Sequence, residues 1–276
     1  MYSKVYVEIT NVCNMSCSFC HGHSRPPRRM SIEEFTCILD QLTEQTQYIY
    51  YHLMGEPLTH PQLPELIQLA RARGYKSVIT TNGTLLPRRK EALLASGVHK
   101  VNISVHSFEE GSEENHVQYL AGLSDFARSA AEAGTIVVFR LWNRGFDQGK
   151  NHLALETLKQ HIPGDWVENT RGLRVRDRIF VEMDERFEWP DSSAAFQGDR
   201  IHCYGLRSQF GILVDGTVVP CCLDSDGVLS LGNIFQENIQ TILSSQRAQA
   251  IREGFLQGKA TEDLCMRCGF AQRFAR

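Results

Sequence analysis

Three thiols within eight residues, Cys13, Cys17 and Cys20, carry the strongest chemical signal in the chain. They are spaced Cys-x3-Cys-x2-Cys, with Phe19 just before the last. A structural zinc ion takes four ligands in a tetrahedron, and no fourth Cys follows at short range. Three thiolates on a compact loop suit an iron–sulfur cube instead, because they ligate three of its irons and leave the fourth open. An open iron can bind a reactant, whereas a fully ligated cluster only passes electrons. A zinc-binding or redox-inert loop is the competing reading.

A second group, Cys203, Cys221, Cys222, Cys265 and Cys268, lies in the last third. Asp215-Gly216 is a hairpin-turn signal within Gly211 to Val219. Such a hairpin brings Cys203 and Cys221 together, and Cys265-x2-Cys268 closes the set. Four thiols there suit either an iron–sulfur cluster or a structural zinc. Cys37 stands alone on an apolar helical repeat and reads as a small core residue.

These groups need elements to position them. Lys4 to Thr10 reads as a strand that delivers the first Cys loop. Ser31 and Glu34 form a capping box opening a helix to about Gln45. Strands follow at Tyr48–Leu53, Ser77–Thr80, Val101–Val105 and Thr135–Leu141. Helices between them run from Leu63 to Arg73, from Pro87 to Gly97 and from about His116 to Ala133. Strict alternation of strands and helices implies a parallel sheet, open or closed as a barrel, with its ligands at the carboxyl ends of the strands. A further helix is expected from about Asn238 to Arg252, and composition shifts near residue 190.

Composition narrows the function. The 276 residues carry a net charge of −3, which argues against a nucleic-acid binder held by phosphate contacts. Nine cysteines point to metal or redox chemistry in a reducing compartment. The N-terminal residues lack the apolar core of a signal peptide, and no run approaches the ~20 apolar residues of a membrane span. A cytoplasmic protein without a membrane partner is the expectation. The cluster Arg25-Pro26-Pro27-Arg28-Arg29 reads as a solvated basic loop.

Cys-x3-Cys-x-aromatic-Cys directly after a strand resembles the signature of the radical S-adenosylmethionine (SAM) superfamily. The resemblance implies a partial (β/α)6 barrel, an α/β fold, with a small Cys-rich α+β region after it; we place these at residues 1–190 and 191–276. It implies a [4Fe–4S] cluster on Cys13, Cys17 and Cys20 whose open iron chelates SAM. One electron, from a donor such as flavodoxin or ferredoxin, would then cleave SAM to methionine and a 5′-deoxyadenosyl radical. Met54-Gly55-Glu56-Pro57 resembles the family's Gly-Gly-Glu-Pro segment, with Met54 in place of the first Gly. With Phe19, Asn82, Ser104 and Arg140, the residues Gly55, Glu56 and Pro57 form the expected SAM-binding set. The distal cysteines resemble a twitch region, a shortened SPASM domain. This implies a second [4Fe–4S] cluster on Cys203, Cys221, Cys265 and Cys268, the Gly216-x4-Cys221 spacing favouring Cys221 over Cys222.

Candidate substrate contacts are His106, Trp142, Arg176 and Glu188, with Trp189 as a second flat surface and Arg174, Arg176 and Arg178 on one strand face. No peptide-recognition segment is expected before Tyr6, so the resemblance favours a small-molecule substrate undergoing C–N or C–H cleavage. The pattern is also similar to the short queuine lyases, which would release a 7-aminomethyl-7-deazaguanine base. A peptide maturase, a small-molecule dehydrogenase and a non-enzymatic electron-transfer protein are the alternatives.

Overall fold

A computed structural model describes residues 1–108 and 112–273, with the backbone alone for Gln272. Strands β1 (Lys4–Val7), β2 (Tyr48–Tyr50), β3 (Lys76–Thr81), β4 (Lys100–Ser104) and β5 (Ile136–Arg144) alternate with helices α1 (Ile32–Gln41), α2 (Leu63–Ala72), α3 (Leu86–Ala95) and α4 (Glu113–Glu132). After β5 come α5 (Lys150–His161), a hairpin of β6 (Val167–Asn169) and β7 (Gly172–Arg176), and β8 (Ile179–Glu185). β8 returns parallel to β5. Six neighbouring parallel strands, β1 to β5 and β8, therefore make the partial (β/α)6 barrel.

The tail does not form a separate sheet. Its strand β9 (Gln209–Ile212) pairs parallel with β1, and β10 (Thr217–Val219) and β11 (Gly232–Asn233) extend the same sheet antiparallel. The 213–216 turn follows the Asp215-Gly216 signal, with Gly216 at φ +87°. Instead of one helix over 238–252 there are two, α6 (Ile239–Leu243) and α7 (Gln246–Leu256). Ser245 breaks the run because its side chain caps the amide of Ala248. Two short helices, α8 (Asp263–Met266) and α9 (Gly269–Gln272), carry the last cysteine pair. No helix among the described residues is long and apolar enough to cross a membrane.

Each barrel strand has two chemically different faces, because side chains alternate. Val5, Val7, Ile49, Ile79, Val101, Ile103, Val137 and Phe139 are buried in the core that includes the helices. The alternate positions Lys4, Tyr6, Glu8, Lys100, Asn102, Ser104 and Arg140 share the other face, which lines the barrel lumen. On α1 the capping box is present, and Phe35, Ile38 and Leu39 are buried. Cys37 is exposed, contrary to the expected core position. It lies two residues from Phe35, about 200° around the helix, so it faces away from the core.

Arg25 also departs from expectation. It is not solvated but folds inward to Glu8, which is fully buried. Its Nη1 and Nη2 donate to the two carboxylate oxygens at 2.8 and 2.7 Å. The amides of Met54 and Val214 donate to the same carboxylate at 3.1 and 3.0 Å. One side chain thus joins β1, the return of the Cys loop, the segment after β2 and the turn after β9. Arg28, in the same basic run, pairs with Glu34 of α1.

Removing one partner of a buried, hydrogen-bonded ion pair leaves the other charge uncompensated. Glu8→Ala should therefore lower unfolding stability by about 3–5 kcal/mol, measured by denaturant titration. Arg28→Ala at the exposed pair should cost no more than about 1 kcal/mol.

Candidate functional site

The first Cys loop is clamped at its base. Asn11 donates from Nδ2 to the carbonyl of Pro26 at 2.9 Å and accepts the amide of Arg28 at 2.7 Å. Thr10 Oγ1 donates to the Arg28 carbonyl at 3.1 Å, and the Met30 amide donates to Ile9 at 2.8 Å. Between these ends, the amide of Cys20 donates to Cys17 O at 3.1 Å in a tight turn. Cys13, Cys17 and Cys20 all open onto one cavity of about 420 Å³. Its wall also contains Phe19, Gly55, Glu56, Asn82, Ser104 and Trp189. A larger recess of about 800 Å³ lies around Tyr2, Tyr204 and Arg252, with none of the loop thiols in its wall. The chemistry selects the smaller one.

The segment after β2 approaches this loop too closely for any side chain at Gly55. A Cβ there would meet Thr10 O at 2.4 Å, and the residue sits at φ +73°. The amide of Glu56 donates to Val12 O at 2.9 Å. The Glu56 carboxylate is 2 % exposed and accepts the amides of Leu58 at 3.0 Å and Asn82 at 2.7 Å. It is a brace between two loops. Asn82 continues the brace: its Nδ2 donates to Asn14 Oδ1 at 2.9 Å, inside the Cys loop. Asn82 Oδ1 accepts from the Thr84 amide at 3.0 Å and hydroxyl at 2.7 Å. Pro57 is not in the cavity wall; it opens the single helical turn Pro57–Thr59 and is buried.

Five expected contacts, Arg140, His106, Trp142, Arg176 and Glu188, lie outside this wall. Arg140 is absent from the cavity wall. The parallel register sets it opposite Glu182, and its Nε lies 3.7 Å from that carboxylate. Its guanidinium lies over the Trp142 ring at 4.4 Å. Arg176 is exposed, because Val175 takes the buried side of β7. Glu188 is exposed and contacts Gln197 Nε2 at 3.3 Å. His106 lines a neighbouring cavity of about 330 Å³ with Ser18, Asn143, Lys150 and Arg186. Its ring stands 5.0 Å from Phe19, and its Nδ1 is 3.0 Å from Arg140 O. Trp189 stacks on His21 with centroids 6.1 Å apart.

The distal thiols converge. Cys221 lies near Cys203, Cys222, Cys265 and Cys268, and burial followed by these neighbours pushes its thiol well up. Burial likewise pushes Cys203 up to about 11. Cys222 is different: it hydrogen-bonds the Tyr6 hydroxyl and packs with Tyr6 and Leu213 on the lumen side. Among the described residues, no three His, Cys, Asp or Glu side chains are drawn together as ligands of a single metal ion. The fit to multi-iron groups therefore rests on donor chemistry: all-thiol sets, none in a disulfide. Three thiols stand beside a Gly55 backbone approach, and the distal four are half-buried or buried in the tail.

Sequence reading missed the polar lumen. His52 has its Nδ1 buried without a partner, and burial pushes the ring down to about 3. Lys4 extends over the rings of Tyr6 and Tyr50 at 5.4 and 5.2 Å. The signal was present as alternation: Lys4, Tyr6 and Glu8, and Lys100, Asn102 and Ser104, put polar groups at every second position.

Residues 7–139 match the family model described as Radical SAM superfamily, and residues 203–269 match the SPASM iron-sulfur cluster-binding domain. A probable GTP 3′,8-cyclase of Sulfolobus acidocaldarius is 32% identical over 283 residues, covering 90% of this chain and 89% of that protein. A GTP 3′,8-cyclase of Chlorobaculum tepidum is 33% identical over 109 residues, covering 38% of this chain and 33% of the relative, so that match spans about a third of its length. The crystal structure of BtrN in complex with AdoMet and 2-DOIA aligns with a TM-score of 0.62 at 18% identity, covering 97% of this chain and 93% of that one. This last likeness shows the fold.

Burial pushes the Glu56 carboxyl from 4.5 up to about 7. Between those values the unfolded chain gives up this proton first. Glu56 therefore makes stability fall as pH rises from about 4.5 to about 7, after which its effect is constant. The loss amounts to about 3 kcal/mol. Denaturation across this range should show that slope reduced in Glu56→Gln relative to the wild type.

Proposed function

Because the chain belongs to the radical SAM superfamily and carries a SPASM iron–sulfur domain, we propose that it cleaves SAM reductively at the Cys13–Cys17–Cys20 loop and directs the radical to a small molecule in the barrel. The observation that carries this reading is the meeting of all three loop thiols with Gly55, Asn82 and Ser104 on one cavity. A [4Fe–4S] cluster on those thiols would supply the electron and an open iron for the SAM amino and carboxylate groups.

The chain's own residues supply position and exclusion. Gly55 lets the segment after β2 press against the backbone of Thr10 and Asn11 at the base of the Cys loop, where a Cβ would collide. Glu56 and Asn82 hold the neighbouring loops against the Cys loop, so that the site is set before SAM arrives. Phe19 and Trp189 give the wall apolar surface, which keeps water from a reactive carbon radical. Cys203, Cys221, Cys265 and Cys268 would hold the auxiliary cluster, with Cys222 left to the lumen. We assign residues 1–190 to radical generation and 191–276 to the auxiliary cluster. An external one-electron donor such as flavodoxin or ferredoxin completes the system. The reaction is of lyase or oxidoreductase type.

Anaerobically reconstituted protein should hold about eight irons per chain and, with dithionite and SAM, release 5′-deoxyadenosine. Cys17→Ala should abolish that product. A small-molecule screen that includes queuine, run beside short peptides, should find a small molecule that stimulates it. An iron-loaded chain yielding no 5′-deoxyadenosine would instead be an electron-transfer protein, and stimulation by peptides alone would overturn the substrate class.

A further inference from the structure

Buried cations are stable when an anion faces them, and uncompensated ones are costly. In the barrel lumen that balance is missing. Arg140 rises from β5 between Ser104 on one side and Glu182 on the other. Its side chain is 15% exposed, its Nε has no hydrogen-bond partner, and the 3.7 Å gap to Glu182 is too long for one. Lys4 and Lys100, both half-buried, and Arg171 at the rim add their fields to that of Arg140. Burial first, then these like charges, holds the Lys100 ammonium below its usual range, with Glu182 opposing. Among the described residues, Glu182 is the carboxylate that faces them. Glu8, on the same lumen face, is already matched by Arg25.

Other groups of the lumen face add hydrogen-bonding capacity without negative charge. His52 Nδ1 and Asn102 Oδ1 are both buried without partners. The Tyr6 and Tyr50 rings stand 5.4 and 6.2 Å from His52. Trp142 holds the guanidinium flat at 4.4 Å, which fixes the plane of its fork. His52 and Ser104 also lie in the wall of the cavity onto which the loop thiols open. The cation set and the site of SAM cleavage are therefore adjoining parts of one chamber.

We propose that the substrate carries an oxyanion, a carboxylate or a phosphate, which Arg140 grips with Lys4 and Lys100 in the lumen while the rest of the molecule reaches toward the Cys13–Cys17–Cys20 loop. The proposal rests on the radical SAM reading for the word substrate, but the anion site stands on its own geometry. It makes Arg140 a specificity residue rather than a SAM ligand. It also disfavours queuine, whose side-chain amine is cationic.

The test is anaerobic calorimetric titration of the reconstituted full chain with inorganic phosphate and, separately, with malonate, at fixed ionic strength. Saturable binding of one or both is expected, and the tighter of the two names the anion. Arg140→Gln should weaken it by at least about tenfold, as should Lys4→Met, a second variant in case the first misfolds. SAM affinity and basal 5′-deoxyadenosine formation should persist in both variants, because neither residue is in the cavity wall. Absence of binding, or equal binding in wild type and variants, overturns the anion site. Parallel loss of SAM affinity in Arg140→Gln overturns its assignment to substrate. Anion binding by a wild type that makes no 5′-deoxyadenosine would leave the anion site standing and remove the function.

Discussion

The architecture turns on one buried carboxylate. Glu8, at the end of the first strand, accepts four hydrogen bonds from three separate segments: two from Arg25, one from Met54 and one from Val214. A carboxylate with no exposure needs its lone pairs filled, and these donors fill them. The result is mechanical. The segment returning from the first Cys loop, the segment that approaches it through Gly55, and the hairpin leading to Cys221 are held at one point. Ser24, next to Arg25, adds two bonds to Asp226 at 2.7 and 3.0 Å. Arg25 Nε also reaches Ser225 O at 2.8 Å. The tail is thereby tied to the loop and to the barrel edge, where β9 pairs with β1.

A barrel fixed in this way can have an interior that is poor for stability. Its outer face carries the apolar packing, with Val5, Val7, Ile103 and Phe139 fully buried. Its inner face holds Lys4, Lys100, Arg140, His52 and Asn102, several with unsatisfied atoms. Polar groups buried without partners are expensive, and three of them, on His52, Asn102 and Arg140, lie on this inner face. Cys222, beside Cys221, reaches the same face. Both thiols lie near the distal cysteines, and Cys222 also hydrogen-bonds Tyr6 in the lumen.

Much of this was legible in the residues. The alternating elements implied a parallel sheet, and the family resemblance carried by Cys13, Cys17, Cys20 and the segment at Gly55 implied the barrel and a site with Asn82 and Ser104. The capping box at Ser31 and the turn at Gly216 are local chemistry and appeared as read. What was not legible depends on direction. Arg140 lies at a strand end, where a cofactor contact is reasonable, but the register with β8 turns it to Glu182. Arg176 and Cys37 fell on the solvent side of their elements, and a short apolar run does not reveal which face the core takes. The partnership of Glu8 with Arg25 spans a loop whose prolines and arginines look solvated, because only the tertiary fold brings a buried carboxylate beneath it.

The central claim is that the three loop thiols, and not the distal four, form the place where SAM meets iron. Electron paramagnetic resonance of the dithionite-reduced protein tests it most directly, comparing wild type with the combined Cys13→Ala, Cys17→Ala, Cys20→Ala variant, each with and without SAM. The wild type should show two cluster signals, one of which changes on adding SAM. The variant should keep only the signal that does not respond. A SAM-responsive signal that survives in the variant would contradict the account.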